Sequence, residues 1–254
     1  MSRRDSLARG APPAETGTLH ARSAAEEVTA GPEPGRVVRF GRAARPGTDL
    51  RVGPDDRGVS RRHGELAYRH RRWWLRNTGQ QPFRLPRDEL LHPRAEPAPL
   101  AAGYTPLFVR GFGYREHLVE LYVSDGARGN RRAAERWPLA ADERLLLVVL
   151  GQRYLRHESA PRPLRRRQAL EQLRVLRPYT DWESPGIEHR IAALTARLIH
   201  RGGSYGRPCE CAPPLHGLLE GLVGSATLVP PDLALLDGDL PEGRRDTAAD
   251  GHDG

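Results

Sequence analysis

Three short runs of residues carry groups that suit the binding of an anion: Gly41-Arg42, Ser60-Arg61-Arg62-His63 and Asn77-Thr78-Gly79. A guanidinium presents a fork of N–H donors, and a hydroxyl and free backbone amides add more, which is the donor set that a phosphorylated side chain needs. Ser60 and His63 could instead act as nucleophile and base. Because no oriented acid and no oxyanion turn accompany them, the sequence favours binding over catalysis, and no enzymatic activity is expected.

The three runs lie between segments that are predicted to be short β-strands. Apolar or alternating segments recur from Arg36 to Val123, separated by turn residues. They are Val37–Phe40, Leu50–Val52, Gly64–Tyr68, Trp73–Arg76, Phe83–Leu85, Leu107–Val109 and Leu118–Val123. This spacing is typical of an all-β sandwich over residues 36–124, built from two packed antiparallel sheets. Trp74, Leu75 and alternate residues of Leu118–Val123 are expected in its core, and the three runs are expected to meet at one end.

In their order and spacing, the three runs resemble the forkhead-associated (FHA) family, a β-sandwich that binds phosphothreonine peptides through its apical loops. The resemblance covers about Arg36 to Val123. It implies that Arg42, Ser60, Arg61, Asn77 and Gln81 bind the phosphopeptide, and that Gly41 and His63 support the binding loop. The chain departs from the family pattern at Gly79, where a serine is usual, and at Gln81, where an asparagine normally binds the peptide main chain.

Past Trp137 the apolar residues recur at helical spacing. Three helices are predicted, with apolar stripes at Leu145, Leu146, Val149, Leu150 and Tyr154, at Leu170, Leu173 and Leu176, and at Ile187, Ile191, Leu194 and Leu198. The glycine-rich residues 202–206 follow. Residues 138–230 therefore resemble a small, mostly α-helical winged helix-turn-helix of the kind found downstream of FHA domains in some bacterial proteins.

A DNA-binding role would use the third helix as the recognition helix. The candidate DNA contacts are Arg165, Arg166, Arg167, His189, Arg190 and Arg197. A helical bundle that contacts only proteins stays open as the alternative, because Glu188 on the same helix would repel phosphates.

Composition narrows the function classes. All 40 basic residues are arginines, and the missing lysine excludes P-loop, pyridoxal and protein-kinase chemistry. Residues 36–124 hold 17 arginines against nine acids, residues 138–202 hold twelve against seven, and residues 203–254 hold three against nine. The positive charge therefore lies in the middle of the chain.

The remaining segments are expected to be solvated. Residues 1–35 form a predicted disordered leader, residues 125–137 a linker and residues 231–254 a disordered acidic tail. The longest apolar run, Leu145–Leu150, is far shorter than the roughly 20 residues of a membrane span, so a cytoplasmic protein without a membrane partner is expected. Cys209 and Cys211 could join His200 or His216 at a zinc ion, but no second cysteine pair exists, so no metal or other cofactor is expected.

These patterns predict a multi-domain protein: an all-β FHA-like sandwich, a small winged-helix-like domain and disordered termini. The predicted function is that of a signalling adaptor that binds a phosphothreonine-containing protein, such as a Ser/Thr kinase or its substrate. Two alternatives stay open, a DNA-binding transcriptional regulator controlled through the sandwich and a phosphate-independent assembly scaffold.

Overall fold

The computed structural model of the chain describes residues 6–113, 115–126, 137–180, 182, 184–200 and 214–237. Its first half is a sandwich of two β-sheets. The strands are β1 (Leu19–Arg22), β2 (Glu27–Ala30), β3 (Val37–Gly41), β4 (Leu50–Arg51), β5 (Gly64–Arg69), β6 (Arg72–Asn77), β7 (Phe83–Arg84), β8 (Leu90–Leu91), β9 (Ala98–Pro99), β10 (Gly103–Arg110) and β11 (Glu116–Val123). The six-stranded sheet has the order β2-β1-β11-β10-β7-β8, and the five-stranded sheet has the order β4-β3-β5-β6-β9.

The core lies between the two sheets and is formed by alternate residues of the long strands. Its fully buried side chains include Leu19, Phe40, Leu66, Trp73, Leu75, Phe83, Leu107 and Leu121. The predicted sandwich is confirmed, and each of the seven predicted segments overlaps a strand of the structure. Two details were wrong. Trp73 occupies the core in place of Trp74, which is half-buried on the opposite side of β6, and β3 pairs with β4 in parallel.

The N-terminal segment belongs to the sandwich, so the predicted disordered leader over residues 1–35 is wrong for residues 6–35. Strand β1 pairs with β11 on one side and with β2 on the other, and it buries Leu19 and Ala21. A short 3-10 helix, Leu7–Arg9, precedes it. Ser6 and Tyr104 both donate hydrogen bonds to the carboxylate of Glu120, which is buried on β11 and whose pKa burial raises. The segment has few large apolar residues, but sheet pairing and this polar cluster order it.

Helices follow the sandwich. They are α1 (Ala141–Leu155), α2 (Arg166–Leu176), α3 (Ser184–His200) and α4 (Pro214–Gly224), followed by a 3-10 helix, Pro230–Leu236. The predicted stripe of α1 is buried, as are Leu173, Ile187 and Leu194, while Leu170, Leu176 and Ile191 are partly buried beside them. Within the described part of the chain, no helix is long and apolar enough to cross a bilayer.

The predicted boundary of the acidic tail at residue 231 was wrong, because Leu233, Leu235 and Leu236 of the last 3-10 helix pack on the helical core. The glycine-rich residues 202–206 of the predicted wing, most of the linker over residues 125–137, and Cys209 and Cys211 lie outside the described residues, as do residues 1–5, 238–254 and the side chain of Leu198.

Arg84 on β7 joins the sandwich to the helices. It donates from Nε and Nη2 to the two carboxylate oxygens of Glu116 at 2.8 and 2.6 Å, and from Nη1 to the carbonyl oxygen of Arg156 at 2.7 Å. The backbone N–H of Arg87 donates to the carbonyl of His157 at 2.7 Å. These contacts tie β7 to the residues that follow α1.

The N-terminal strand is testable by truncating its central side chain. Leu19→Ala should lower the free energy of unfolding by about 2 to 5 kcal/mol, because Leu19 is fully buried between the sheets. Leu90→Ala is the matched control, since Leu90 is 49% exposed on β8, and it should cost less than about 1 kcal/mol. The measurement is urea unfolding followed by tryptophan fluorescence. Equal midpoints for both variants would mean that β1 is not paired with β11 in the folded protein.

Candidate functional site

The sheet register brings the three predicted runs to one end of the sandwich. Gly64 opens β5 opposite Phe40 of β3 and opposite Asn77, the last residue of β6. The segments that leave these strands, residues 42–49, 52–63 and 78–82, therefore meet there, and they are called the apical loops below. Gly41 is required at the junction, because a Cβ there would lie 2.5 Å from the carbonyl oxygen of Arg61.

Arg42, Ser60 and Arg61 stand side by side on two of these loops. The backbone N–H of Arg42 donates to the carbonyl of Ser60 at 3.1 Å, and that of Ala43 donates to the carbonyl of Arg61 at 3.2 Å. The Ser60 hydroxyl oxygen accepts a hydrogen bond from the N–H of Gln80 at 3.2 Å. This bond leaves the hydroxyl proton able to donate elsewhere.

The positive charge of this pair of loops is not neutralised. No carboxylate of the described residues lies within ion-pair distance of Arg42 or Arg61. Arg61 is exposed, and Arg42 is half-buried with an Nε atom that is shielded from solvent and has no hydrogen-bond partner among the described residues. A buried, unpartnered donor on a cation beside a free hydroxyl proton matches the needs of a bound anion.

His63 holds two of the apical loops together. Its imidazole is fully buried, its Nδ1 accepts from the N–H of Ser60 at 3.1 Å, and its Nε2 donates to the carbonyl of Gln81 at 3.0 Å. Burial lowers the pKa of His63. Gly79 packs against the ring, and a Cβ at Gly79 would lie 2.2 Å from His63 Cδ2. Gly79, which departs from the FHA pattern, is thus the residue that leaves room for the His63 ring.

Asn77 supports the loop from below, and its predicted role in peptide binding stays a prediction. Its side chain is buried, its amide donates to the carbonyls of Gln81 and Leu91 at 2.9 Å each, and its oxygen accepts from the N–H of Gly79 at 2.9 Å. All of these groups lie within the protein. Gln81, in contrast, is exposed, and only its carbonyl oxygen is used by His63 and Asn77.

Sequence reasoning missed a buried aspartate that fixes the loop before Ser60. Asp56 accepts hydrogen bonds from the N–H groups of Gly58 at 2.8 Å and Phe112 at 2.9 Å, and from His117 Nε2 at 2.8 Å. Although burial raises its pKa, these hydrogen bonds hold the pKa of Asp56 below its usual value. The residues Gly53-Pro54-Asp55-Asp56 looked like an ordinary turn, and only the fold brings the hairpin that carries Phe112 beside them.

The geometry does not form a nucleophile and base from Ser60 and His63. His63 Nδ1 accepts from the backbone of Ser60, while the hydroxyl of Ser60 is turned toward the N–H of Gln80. A general base must contact the proton that it removes. Within the described part of the chain, no cluster of three or more metal-ligating side chains occurs either.

Most of the candidate DNA contacts on the helices are engaged within the helical region. Arg166 pairs with Glu188, Arg167 lies 3.8 Å from Glu171, and Arg197 lies 2.9 Å from Glu143. The guanidinium of Arg190 lies 5.0 Å from the centre of the Trp182 ring. Arg165 and His189 are exposed. Partnered arginines contribute less net charge toward a phosphate backbone, so this surface is weaker than the count of its arginines suggests.

Comparison with known proteins finds no matching family model and no matching curated protein. Solved structures of FHA domains are similar to part of the chain. The FHA-1 domain of Mycobacterium tuberculosis Rv1747 is 20% identical with a TM-score of 0.33, over 43% of this chain and 99% of that one. The FHA domain of an Arabidopsis thaliana hypothetical protein is 17% identical with a TM-score of 0.35, over 46% and 97%.

The FHA1 domain of yeast Rad53 is 12% identical with a TM-score of 0.34, over 55% of this chain and 86% of that one. These TM-scores assign the chain neither a family nor a binding activity.

The buried, neutral His63 predicts a pH dependence of stability. Its pKa in the folded protein is lowered from about 6.5, so the unfolded chain takes up a proton first as the pH falls. Stability is therefore retained above about pH 6.5 and lost as the pH falls through the folded-state pKa. His63→Gln should show a flatter loss of stability below about pH 6.5 in urea unfolding, because this titration is removed.

Exposed His92 provides the control for this experiment. His92→Gln should keep the pH dependence of the wild type, including the part that arises from His20 and His157, whose pKa values burial also lowers. A His63→Gln protein with the wild-type slope would contradict a neutral, loop-bridging imidazole.

Proposed function

We propose that the apical loops bind a phosphothreonine-containing segment of another protein, and that the chain acts as a phosphorylation-dependent adaptor without catalytic activity. One observation carries this proposal. Arg42 and Arg61 lie beside Ser60 on the paired apical loops, and no carboxylate of the described residues forms an ion pair with either arginine. Arg42 also keeps a buried Nε that has no partner among those residues. An anion with several acceptor oxygens satisfies all of these donors at once.

Each group has a distinct part in the proposed complex. The Arg42 guanidinium pairs with the phosphate, and the Ser60 hydroxyl donates to one of its oxygens while still accepting from Gln80. Arg61, being exposed, reaches the phosphate or the peptide backbone, and the Gln81 side chain reaches the peptide. The choice of threonine over serine rests on the resemblance of residues 36–124 to FHA domains.

The proposed partner is a Ser/Thr kinase or one of its substrates. The helical region, proposed to be a winged-helix-like module, contacts the sandwich through the hydrogen bond from Arg84 to the carbonyl of Arg156 and serves protein contacts. That use fits the internal pairing of its arginines with Glu188, Glu171 and Glu143 better than DNA binding does.

Calorimetry with a phosphothreonine peptide selected from a degenerate library tests the proposal. A charge-assisted hydrogen bond contributes about 1.5 to 3 kcal/mol, so Arg42→Ala should weaken binding by roughly tenfold to a hundredfold. Ser60→Ala should weaken it less. Arg174→Ala is the control, because Arg174 is exposed on α2 and its substitution removes the same positive charge at a site away from the apical loops.

Two results would decide against phosphothreonine binding by the apical loops. One is equal affinity for the phosphorylated and unphosphorylated forms of the peptide, which would leave a phosphate-independent scaffold. The other is an equal loss of affinity in Arg42→Ala and Arg174→Ala, which would show that net charge and not the apical geometry controls binding.

A further inference from the structure

The outer face of the five-stranded sheet carries a basic surface that the apical site does not use. Because Leu66, Trp73 and Leu75 point into the core, the residues next to them on β5 and β6 point outward. The basic sheet face consists of Arg39, Arg69, Arg72, Trp74 and Arg76. All four arginines are exposed, and Trp74 is partly exposed among them.

The Trp74 indole is held along the sheet. Its Nε1 donates to the carbonyl oxygen of Arg69 on the neighbouring strand at 3.1 Å. Its cross-strand partner Ala67 points outward by alternation but is only 6% exposed, which indicates that neighbouring side chains on this face cover it. Pro99 of β9 is the cross-strand partner of Trp74 on its other side, so Trp74 lies between Ala67 and Pro99 in the sheet and is partly exposed.

Arginines flank Trp74 on its own strand, at Arg72 and Arg76, and on the neighbouring strand, at Arg69. Glu65 is the cross-strand partner of both Arg39 and Arg76, and it lies 3.9 Å from Arg76 Nε. No carboxylate of the described residues forms an ion pair with Arg39, Arg69 or Arg72. The exposed hairpin turn of His70 and Arg71 extends the same charge at the end of the two strands.

We propose that the basic sheet face binds single-stranded nucleic acid, with a base stacked on Trp74 and the backbone phosphates contacted by the flanking arginines. A polyanion matches the unpaired guanidiniums, and a ligand with flat aromatic groups can in addition stack on the partly exposed indole beside them. Arg69 stands at the opposite end of β5 from Gly64, roughly 17 Å away at about 3.3 Å per residue. The end of the basic sheet face at Arg69 and Arg72 is therefore distant from the apical loops, whereas Arg39 and Arg76 lie next to the strand ends where those loops begin.

Fluorescence anisotropy of a labelled oligo(U) 12-mer with the full chain tests this proposal. Trp74→Ala should weaken binding by about fivefold or more, whereas Trp74→Phe, which keeps a ring, should stay within about threefold of the wild type. Arg69→Ala/Arg72→Ala should reduce the salt slope by about 0.7 for each lost phosphate contact. Arg174→Ala/Arg177→Ala, which removes two exposed arginines from the helical region, is the matched control and should leave the slope unchanged.

Several results would overturn the proposal: no binding of oligo(U) at low salt, equal losses in the two double-arginine variants, or equal affinity of Trp74→Ala and wild type. A duplex of the same length that binds as tightly and without dependence on Trp74 would also overturn it. Displacement of oligo(U) by excess phosphothreonine peptide would place the ligand in the apical loops instead. If Trp74→Ala lowers the thermal midpoint, Trp74→Leu, which keeps apolar bulk without a ring, replaces it in each comparison.

Discussion

The buried imidazole of His63 is the constraint on which the apical site depends. It accepts from the backbone of Ser60 and donates to the backbone of Gln81, so a single neutral ring sets the distance between two loops. Protonation would place a second N–H against the Ser60 N–H and break the first of these bonds. Gly79 must lack a side chain for the ring to fit, and Asn77 holds the same loop from the other side. These buried groups position the loops that carry Arg42 and Arg61.

The sequence predicts the sandwich because its strands alternate with the period that a half-buried sheet requires, as in Leu118–Val123. It does not decide between Trp73 and Trp74, since two adjacent tryptophans fit either face, and only the register with Leu66 and Ala67 settles which one enters the core. Strand β1 could not be predicted from the sequence for a related reason. Its four residues contain one large apolar side chain, and long-range pairing with β11 orders it.

The same limit applies to the site. The order of Arg42, Ser60 and His63 can be read from the sequence because each follows a strand end, but the roles within the set cannot. Asn77 looked like a ligand-binding amide, yet burial commits it to the backbone of Gln81 and Leu91. Asp56 looked like a turn residue, yet it fixes the Phe112 hairpin, which is distant in sequence. Hydrogen bonds between segments far apart in the chain leave no periodic signal.

Charge distinguishes the two halves of the described chain. On the helices, Arg166, Arg167 and Arg197 each have a carboxylate partner, whereas Arg42 and Arg61 on the sandwich have none among the described residues. Arg84 lies between the halves, three residues after Gln81, and fixes β7 to the end of α1. The apical loops are thus continuous with the strand that contacts the residues after α1.

A titration of the ¹⁵N-labelled full chain with phosphothreonine, followed through its amide resonances, tests the apical phosphate site most directly. A phosphate site there predicts saturable shifts confined to the apical loops, with the amides of Arg42, Ser60, Arg61 and Gln80 moving most and threonine producing none of them. Shifts centred on α3, or equal shifts with threonine and phosphothreonine, would contradict a phosphate site built on His63.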